Sequence, residues 1–426
     1  MASLPATESD KARSTLNRHP GFLRLWAGET VSQFGAQLAQ LGIPVLAVTL
    51  LHATEWQVGL LNAADTAAFL VIGLPVGAWV DRMRKRRVMI VADLVRAAAL
   101  ASIPALWAMG MLQMWQVYAV AVIVGGATVF FDVSYQSFIP VLVPGDLVAG
   151  ANGRLEASAQ VARVGGPALG GGLLAIVSAP FILAGTAIGY LVSWAFLLAV
   201  RVTELPPPRS DRKPLWREIG EGLAFVWGNR LIRRISFTTA TANFFGIITA
   251  TLLPLLVLRT LGLAPALFGL VMSFGAVGGV LGAAATPWLT RRIGEGSVIP
   301  FAAAVFGVAG FAMPAAAVLP AAAIPLLVGG ELLSSFGVLV YNVAQLTFRQ
   351  RVCPPALLGR MNASIRCLVW GVLPIGSLIA GGLGQLTGIP TTMWIGATGG
   401  LVAVALVLFS PLTGMRELPS AGRGAE

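Results

Sequence analysis

Apolar residues run in long blocks along nearly the whole chain, and short polar clusters separate them. The blocks fall near 23–51, 57–80, 87–109, 115–139, 154–177, 181–200, 232–258, 266–288, 297–318, 322–347, 361–384 and 391–411. A helix needs roughly 20 apolar residues to cross the hydrocarbon layer of a bilayer. Only helices or closed barrels satisfy the backbone in lipid, and barrel strands are shorter and alternate. The pattern predicts an all-α membrane protein of about twelve transmembrane helices.

Polar residues inside these blocks are not scattered. Glu29, Gln33, Gln37 and Gln40 in the first block step by four, four and three, which puts them on one helical face. The tenth carries Glu331, Ser335, Asn342 and Gln345, the fourth Asp132, Tyr135 and Gln136, and the seventh Thr239 and Asn243. Polar stripes on spans 1, 4, 7 and 10 predict one shared aqueous cavity lined by these residues. Interhelical hydrogen bonding is the structural alternative and suits the Ser, Thr and Asn residues. It suits Glu29 and Glu331 less well, because ionisable groups in lipid are costly. Span 2 adds Asn62 and Asp65, and span 5 carries Glu156, Gln160 and Arg163. Arg163 in mid-membrane calls for a partner, with Glu29, Asp65 and Asp132 as candidates. In "RVGGPALGGG" the glycines permit close helix approach and Pro167 can bend span 5.

The chain repeats itself. Residues 143–173 align with 353–383, pairing Pro144 with Pro354, Asn152 with Asn362, Gly166 with Gly376 and Gly171 with Gly381. Pro44 falls on Pro254 at the same offset. Two parallel copies of six spans resemble transporter halves related by an axis along the membrane normal. The expected organisation is an N-terminal six-helix bundle with its tail over 1–202, a linker over 203–230 and a C-terminal bundle with a short tail over 231–426. In the linker, "ELPPPRSDRKP" reads as extended. Trp216, Ile219, Leu223 and Trp227 then recur at helical spacing, as in an amphipathic helix on the membrane surface.

Composition agrees. Hydrophobic residues make up 56% of the 426 and charged residues 11%, against about 25% charged in soluble domains. Mean hydropathy is +0.81. The net charge of +11 invites a nucleic-acid reading, but its placement argues against one. Arg82, Arg84, Lys85, Arg86, Arg87, Arg209, Arg212, Lys213, Arg291, Arg292, Arg349 and Arg351 fall on even-to-odd connections; Arg259 is the exception on the other side. This positive-inside pattern predicts a cell-membrane protein with both termini in the cytoplasm. Cys353 and Cys367 fall where a disulfide is not expected. No metal-ligand cluster, nucleotide loop or catalytic triad spacing is present, so no metal, no cofactor and no enzymatic activity are expected.

These residues resemble the major facilitator superfamily over essentially the whole chain. "GAWVDRMRKRR" is similar to its loop between helices 2 and 3, with Gly77, Asp81, Arg82 and Arg86 in place. "RVGGPALGG" is similar to the helix-5 motif of drug:proton antiporters at Arg163, Gly166, Pro167, Gly170 and Gly171. "FLRLWAGETVSQFGAQLA" and "FFDVSYQSFIPVLV" resemble the branch of enterobactin exporters and macrolide-efflux proteins, though Ala36 stands where that branch often has an acid. The resemblance implies that Asp81 latches the halves at the helix-11 N-terminus near Arg360, a carboxylate favoured there by the helix dipole. Asp93 and Arg96 would extend that network.

The expected function is therefore proton-coupled export of a small amphipathic molecule by alternating access, in a monomer whose partners are its substrate, protons and the lipid bilayer. Glu29, Asp65, Asp132, Glu331 and Arg163 are the coupling candidates. A nutrient symporter and a non-transporting receptor or scaffold of the same fold are the alternatives.

Overall fold

The computed structural model describes residues 16–416 except 81, 203, 205–214 and 354; within helices, the side chains of 68, 69, 72–75, 77, 78, 215–219, 221, 222, 355–360 and 363 also lie outside the description. Asp81, the latch surroundings of Gly77 and Arg360, the extended linker and the side chains of Trp216 and Ile219 therefore fall outside it.

The described chain is helical throughout. In order the helices are α1 Pro20–Thr49, α2 Glu55–Val80, α3 Lys85–Ala108, α4 Met114–Leu142, α5 Val148–Leu174, α6 Ala179–Ala199 and α7 Leu215–Gly228. Then follow α8 Arg230–Leu255, α9 Pro265–Ile293, α10 Val298–Ala309, α11 Ala312–Val318, α12 Ala323–Val352, α13 Pro355–Thr387 and α14 Ile389–Leu408. Among the described residues, ten helical segments are long and apolar enough to cross a membrane. The other two expected spans correspond to α2 and α5, which have the length; the glycines and polar residues of α5 dilute its apolarity. The ninth expected span is broken. Pro314 has no N–H to give the Gly310 carbonyl, and the chain re-forms as two short helices, α10 and α11.

Two compact units emerge. One comprises residues 1–43 and 71–210, the other 44–70 and 211–426. Residues 44–70, in the first half of the sequence repeat, pack with the second unit. The cause is local: a Cβ at Gly59 would lie 2.7 Å from the Gly381 Cα and 2.7 Å from the Ser377 carbonyl oxygen. Asn62 Nδ2 donates to Thr251 Oγ1 at 2.8 Å, and Arg259 Nη1 reaches Glu55 Oε1 at 3.4 Å while its Nη2 donates to the Ala53 carbonyl. Arg259, the exception to the charge asymmetry, is thus held by residues 53 and 55.

Each unit has its own core. In the first, Phe22, Leu25, Met89, Phe131, Phe138 and Leu197 are buried together, and α3 packs on α4 and α6. In the second, Ile232, Ile235, Val340, Phe348, Met361 and Val407 form the core, and α10 packs on α14 as α3 packs on α6. Glycine sets the closest crossing: Cβ atoms at Gly278 and Gly282 would lie 2.1 Å and 2.4 Å from the Leu332 and Phe336 carbonyl oxygens, so α9 and α12 meet backbone to backbone. The linker helix α7 packs on the second unit through buried Val226 and half-buried Phe225. The Leu223 and Trp227 side chains expected on its membrane face are exposed, and Trp227 packs edge-on against Phe237.

Candidate functional site

The first unit buries a charged cluster where its helices converge. Glu29 on α1 is 5% exposed, and Asp93 and Arg96 on α3 are 0% and 3% exposed. Four residues are one helical turn, so α3 presents Asp93 and Arg96 to each other as an i,i+3 ion pair. The Arg96 guanidinium sits between two rings, 4.2 Å from the Phe131 centroid on α4 and 4.3 Å from the Tyr190 centroid on α6. A desolvated cation over aromatic faces gains about 2 kcal/mol or more. Gln33 Nε2 donates to Glu29 Oε1 at 2.6 Å, which fixes the carboxylate one turn along the polar face of α1. Half-buried Asp132 and Glu29 both lie within electrostatic range of Arg96. Tyr135 stacks on Phe131 at 6.1 Å.

Among the described residues, two buried atoms of this cluster have no hydrogen-bond partner, Glu29 Oε2 and Arg96 Nε. Buried polar atoms are nearly always paired, so unpaired atoms in one place leave spare donor and acceptor capacity there. The cation in electrostatic range of Glu29 is Arg96. Arg163, expected in that role, is exposed and makes no ion pair among the described residues. Asp93 and Arg96, expected near the latch, are instead interior to the unit.

The helix-5 glycines do what small residues permit. A Cβ at Gly166 would lie 2.5 Å from the Gln37 Cβ, and one at Gly170 2.9 Å from Leu41. Gln37 thus fills a notch on α5, with buried Pro167 beside it, and Trp26 Nε1 bonds Ser158 Oγ at 2.8 Å across the same pair of helices. Gln40 and Gln136 are exposed.

The second unit holds a separate polar chain. Thr239 Oγ1 and Tyr341 OH are 2.9 Å apart, and Tyr341 OH also donates to the Ile235 carbonyl at 3.2 Å. Gln345 Nε2 donates to Asn342 Oδ1 at 3.0 Å, and Gln345 Oε1 accepts from Arg349. Arg349, read in the sequence as a connection residue, is 8% exposed, and among the described residues its Nε has no partner. Asn243 Nδ2 donates to the Val369 carbonyl at 3.1 Å. Half-buried Glu331 bonds Ser335 one turn away, and Gly275 makes room for it: a Cβ there would lie 2.7 Å from the Glu331 Cγ. Asp65, in this unit, is exposed and unpaired among the described residues. Sequence reasoning missed Arg349 and Tyr190. Tyr190 stands among apolar residues, and the only signal was a rare tyrosine in an otherwise apolar block.

Long apolar helices in two units, with charges and hydrogen-bonding side chains buried inside each, define a polytopic membrane transporter. Residues 14–423 match the transmembrane secretion effector family, and the chain belongs to this family of the major facilitator superfamily. It is 28% identical over 392 residues to the multidrug efflux pump Tap of Mycobacterium tuberculosis, covering 88% of this chain and 90% of that one. It is 23% identical to macrolide efflux protein A of Streptococcus pyogenes, covering 93% and 97% of the two chains. The enterobactin exporter EntS of Citrobacter koseri is 26% identical over 423 residues, covering 95% of this chain and 94% of that one. The crystal structure of a nucleoside transporter, NupG D323A, shares the fold with a TM-score of 0.74 at 12% identity, covering 92% of this chain and 100% of that one. The protein is a multi-pass membrane transporter of small molecules in the efflux branch of the superfamily, and not an enzyme.

Proposed function

We propose that this transporter is a proton-coupled exporter of a small amphipathic molecule. The observation that carries the reading is the buried Glu29, held by Gln33 on one oxygen and unpaired on the other, in electrostatic range of Arg96 and Asp132. A carboxylate that couples transport must take and release a proton as its surroundings change. A nearby cation held by packing gives the surroundings a fixed reference charge against which helix movement can act. Glu29 and Asp132 are the carrier residues in this reading, and Arg96 with Asp93 is the counter-charge. Asp65 and Glu331 are secondary carriers.

The polar side chains Gln33, Tyr135, Gln136, Ser335 and Asn342, with Gln37, Gln40, Thr239, Asn243 and Gln345, are the proposed substrate contacts. Aromatic neighbours such as Phe34 and Tyr135 supply the apolar part of such a surface. The relatives support export, since all three are named as efflux proteins or an exporter. Asp81, Arg82 and Arg360 are the proposed latch of alternating access, with Arg86 anchoring the loop on the Leu197 and Leu198 carbonyls. The charge asymmetry supports both termini on the cytoplasmic side of the cell membrane, and the same reading takes the transporter to work as a monomer.

The test is transport by purified protein in proteoliposomes under an imposed pH gradient, with macrolides, catecholate siderophores and cationic dyes as substrates. Uphill accumulation that collapses with a protonophore is the expected result. Flux that follows the substrate gradient alone, whatever the pH difference, would remove proton coupling and leave a uniporter.

A further inference from the structure

The first unit has a groove between α3 and α4 that neither the charged cluster nor the proposed substrate surface uses. Its volume is about 780 Å³. Arg84, Arg87, Val91 and Val95 line it from the start of α3, at spacings that share one helical face, and Ile123 and Phe130 line it from α4. Its apolar side chains are not buried: Val91 is 59% exposed and Ile123 45%.

The basic run at its mouth is divided in role. Arg86 is tied down, with Nε donating to the Leu197 carbonyl at 3.0 Å and Nη2 to the Leu198 carbonyl at 2.8 Å. The Glu204 carboxylate accepts the backbone N–H groups of Lys85 and Arg86 at 2.6 Å and 2.8 Å. Arg84 and Arg87 have no such duty. Both are exposed, and neither makes a hydrogen bond or ion pair among the described residues. Two free guanidinium groups therefore stand at one end of an open apolar groove whose length runs along a membrane-spanning helix.

We propose that this groove is a binding site for an anionic phospholipid. The phosphate engages Arg84 and Arg87, and an acyl chain lies along Val91, Val95, Ile123 and Phe130. Charge complementarity selects the headgroup, because guanidinium groups bind phosphate oxygens in a bidentate fork, and basic pockets between transmembrane helices hold anionic headgroups. The apolar length selects a lipid over a free phosphate, which would leave the exposed valines and isoleucine without cover. The Arg84 end is also the side that the charge distribution assigns to the cytoplasmic leaflet, the more anionic one.

The test is native mass spectrometry of the full-length protein released from micelles with equimolar phosphatidylglycerol and phosphatidylcholine. Phosphatidylglycerol should be retained over phosphatidylcholine by about thirtyfold, the size expected from two arginines at an anionic surface. Arg84→Ala/Arg87→Ala should lose that preference, and Arg84→Lys/Arg87→Lys should keep most of it. Val91→Trp should lower retention of both lipids by filling the groove. Arg291→Ala/Arg292→Ala, equally basic and outside the groove, should behave as wild type. An unchanged preference in the Arg84/Arg87 alanine variant, or an equal loss in the Arg291/Arg292 variant, overturns the proposal. So does full retention in Val91→Trp, or displacement of the lipid by glycerol phosphate at equal concentration. If the alanine variant does not fold, the lysine and tryptophan variants decide on the same outcomes.

Discussion

Arg96→Met removes the cation at the centre of the buried cluster, and its consequences can be sized. The Asp93–Arg96 pair is 0% and 4% exposed on its side chains. Removing one member of such a pair leaves the other charge buried alone, which costs about 3–5 kcal/mol. The two cation–π contacts with Phe131 and Tyr190 are lost as well, but Met restores part of that packing. At about 2–4 °C per kcal/mol for a domain of this size, the melting temperature should fall by roughly 6–20 °C. The informative variant is the double one, Asp93→Leu/Arg96→Met. Replacing a buried ion pair by apolar residues is often neutral, or stabilising by about 1–4 kcal/mol. The double variant should therefore recover wild-type melting in detergent while losing pH-gradient-driven transport in proteoliposomes. This separates a structural role from a coupling role within one pair. Wild-type melting of Arg96→Met would refute the burial argument. Full uphill transport by a well-folded double variant would refute the functional one.

Three further outcomes follow from the same geometry. Glu29→Gln keeps the hydrogen-bonding shape beside Gln33 and removes the titratable group, so substrate binding by calorimetry should persist while accumulation driven by a pH gradient is lost; accumulation at the wild-type level in this variant would exclude Glu29 as carrier. Gly166→Leu places a carbon 2.5 Å from the Gln37 Cβ, where carbon contacts prefer about 3.5–4.0 Å. It should cost about 1–3 kcal/mol through overpacking and slow transport, with partial rescue by Gln37→Gly, which removes the clashing Cβ, and an absence of rescue would place the glycine's role elsewhere than the α1–α5 contact. Gly278→Leu drives a side chain into the Leu332 backbone carbonyl, which cannot move aside as a side chain can, so melting should drop by more than in Gly166→Leu; the reverse order would contradict the backbone-to-backbone crossing of α9 and α12.

The sequence by itself determined the class, the helical architecture and the internal repeat. Block length and apolarity are one-dimensional properties, and the bilayer admits few solutions to them. It also marked Glu29 and Gln33 as neighbours, since a four-residue step on a helix fixes their contact, and Gly166 and Gly170 as the floor of a helix crossing. It could not say which cation meets Glu29. Arg163 and Arg96 look alike as single arginines inside apolar blocks, and only the packing of α1, α3, α4 and α6 places Arg96 between Phe131 and Tyr190 and leaves Arg163 exposed. Likewise, Arg349 reads as a flanking charge until the fold buries it beside Gln345. Residues 44–70 belong to the first half by sequence and to the second unit by packing, because glycine contacts such as Gly59 with Gly381 join positions over three hundred residues apart. A helix's own period fixes what shares its face; what faces it across a gap is set by other helices, and only the tertiary structure decides that.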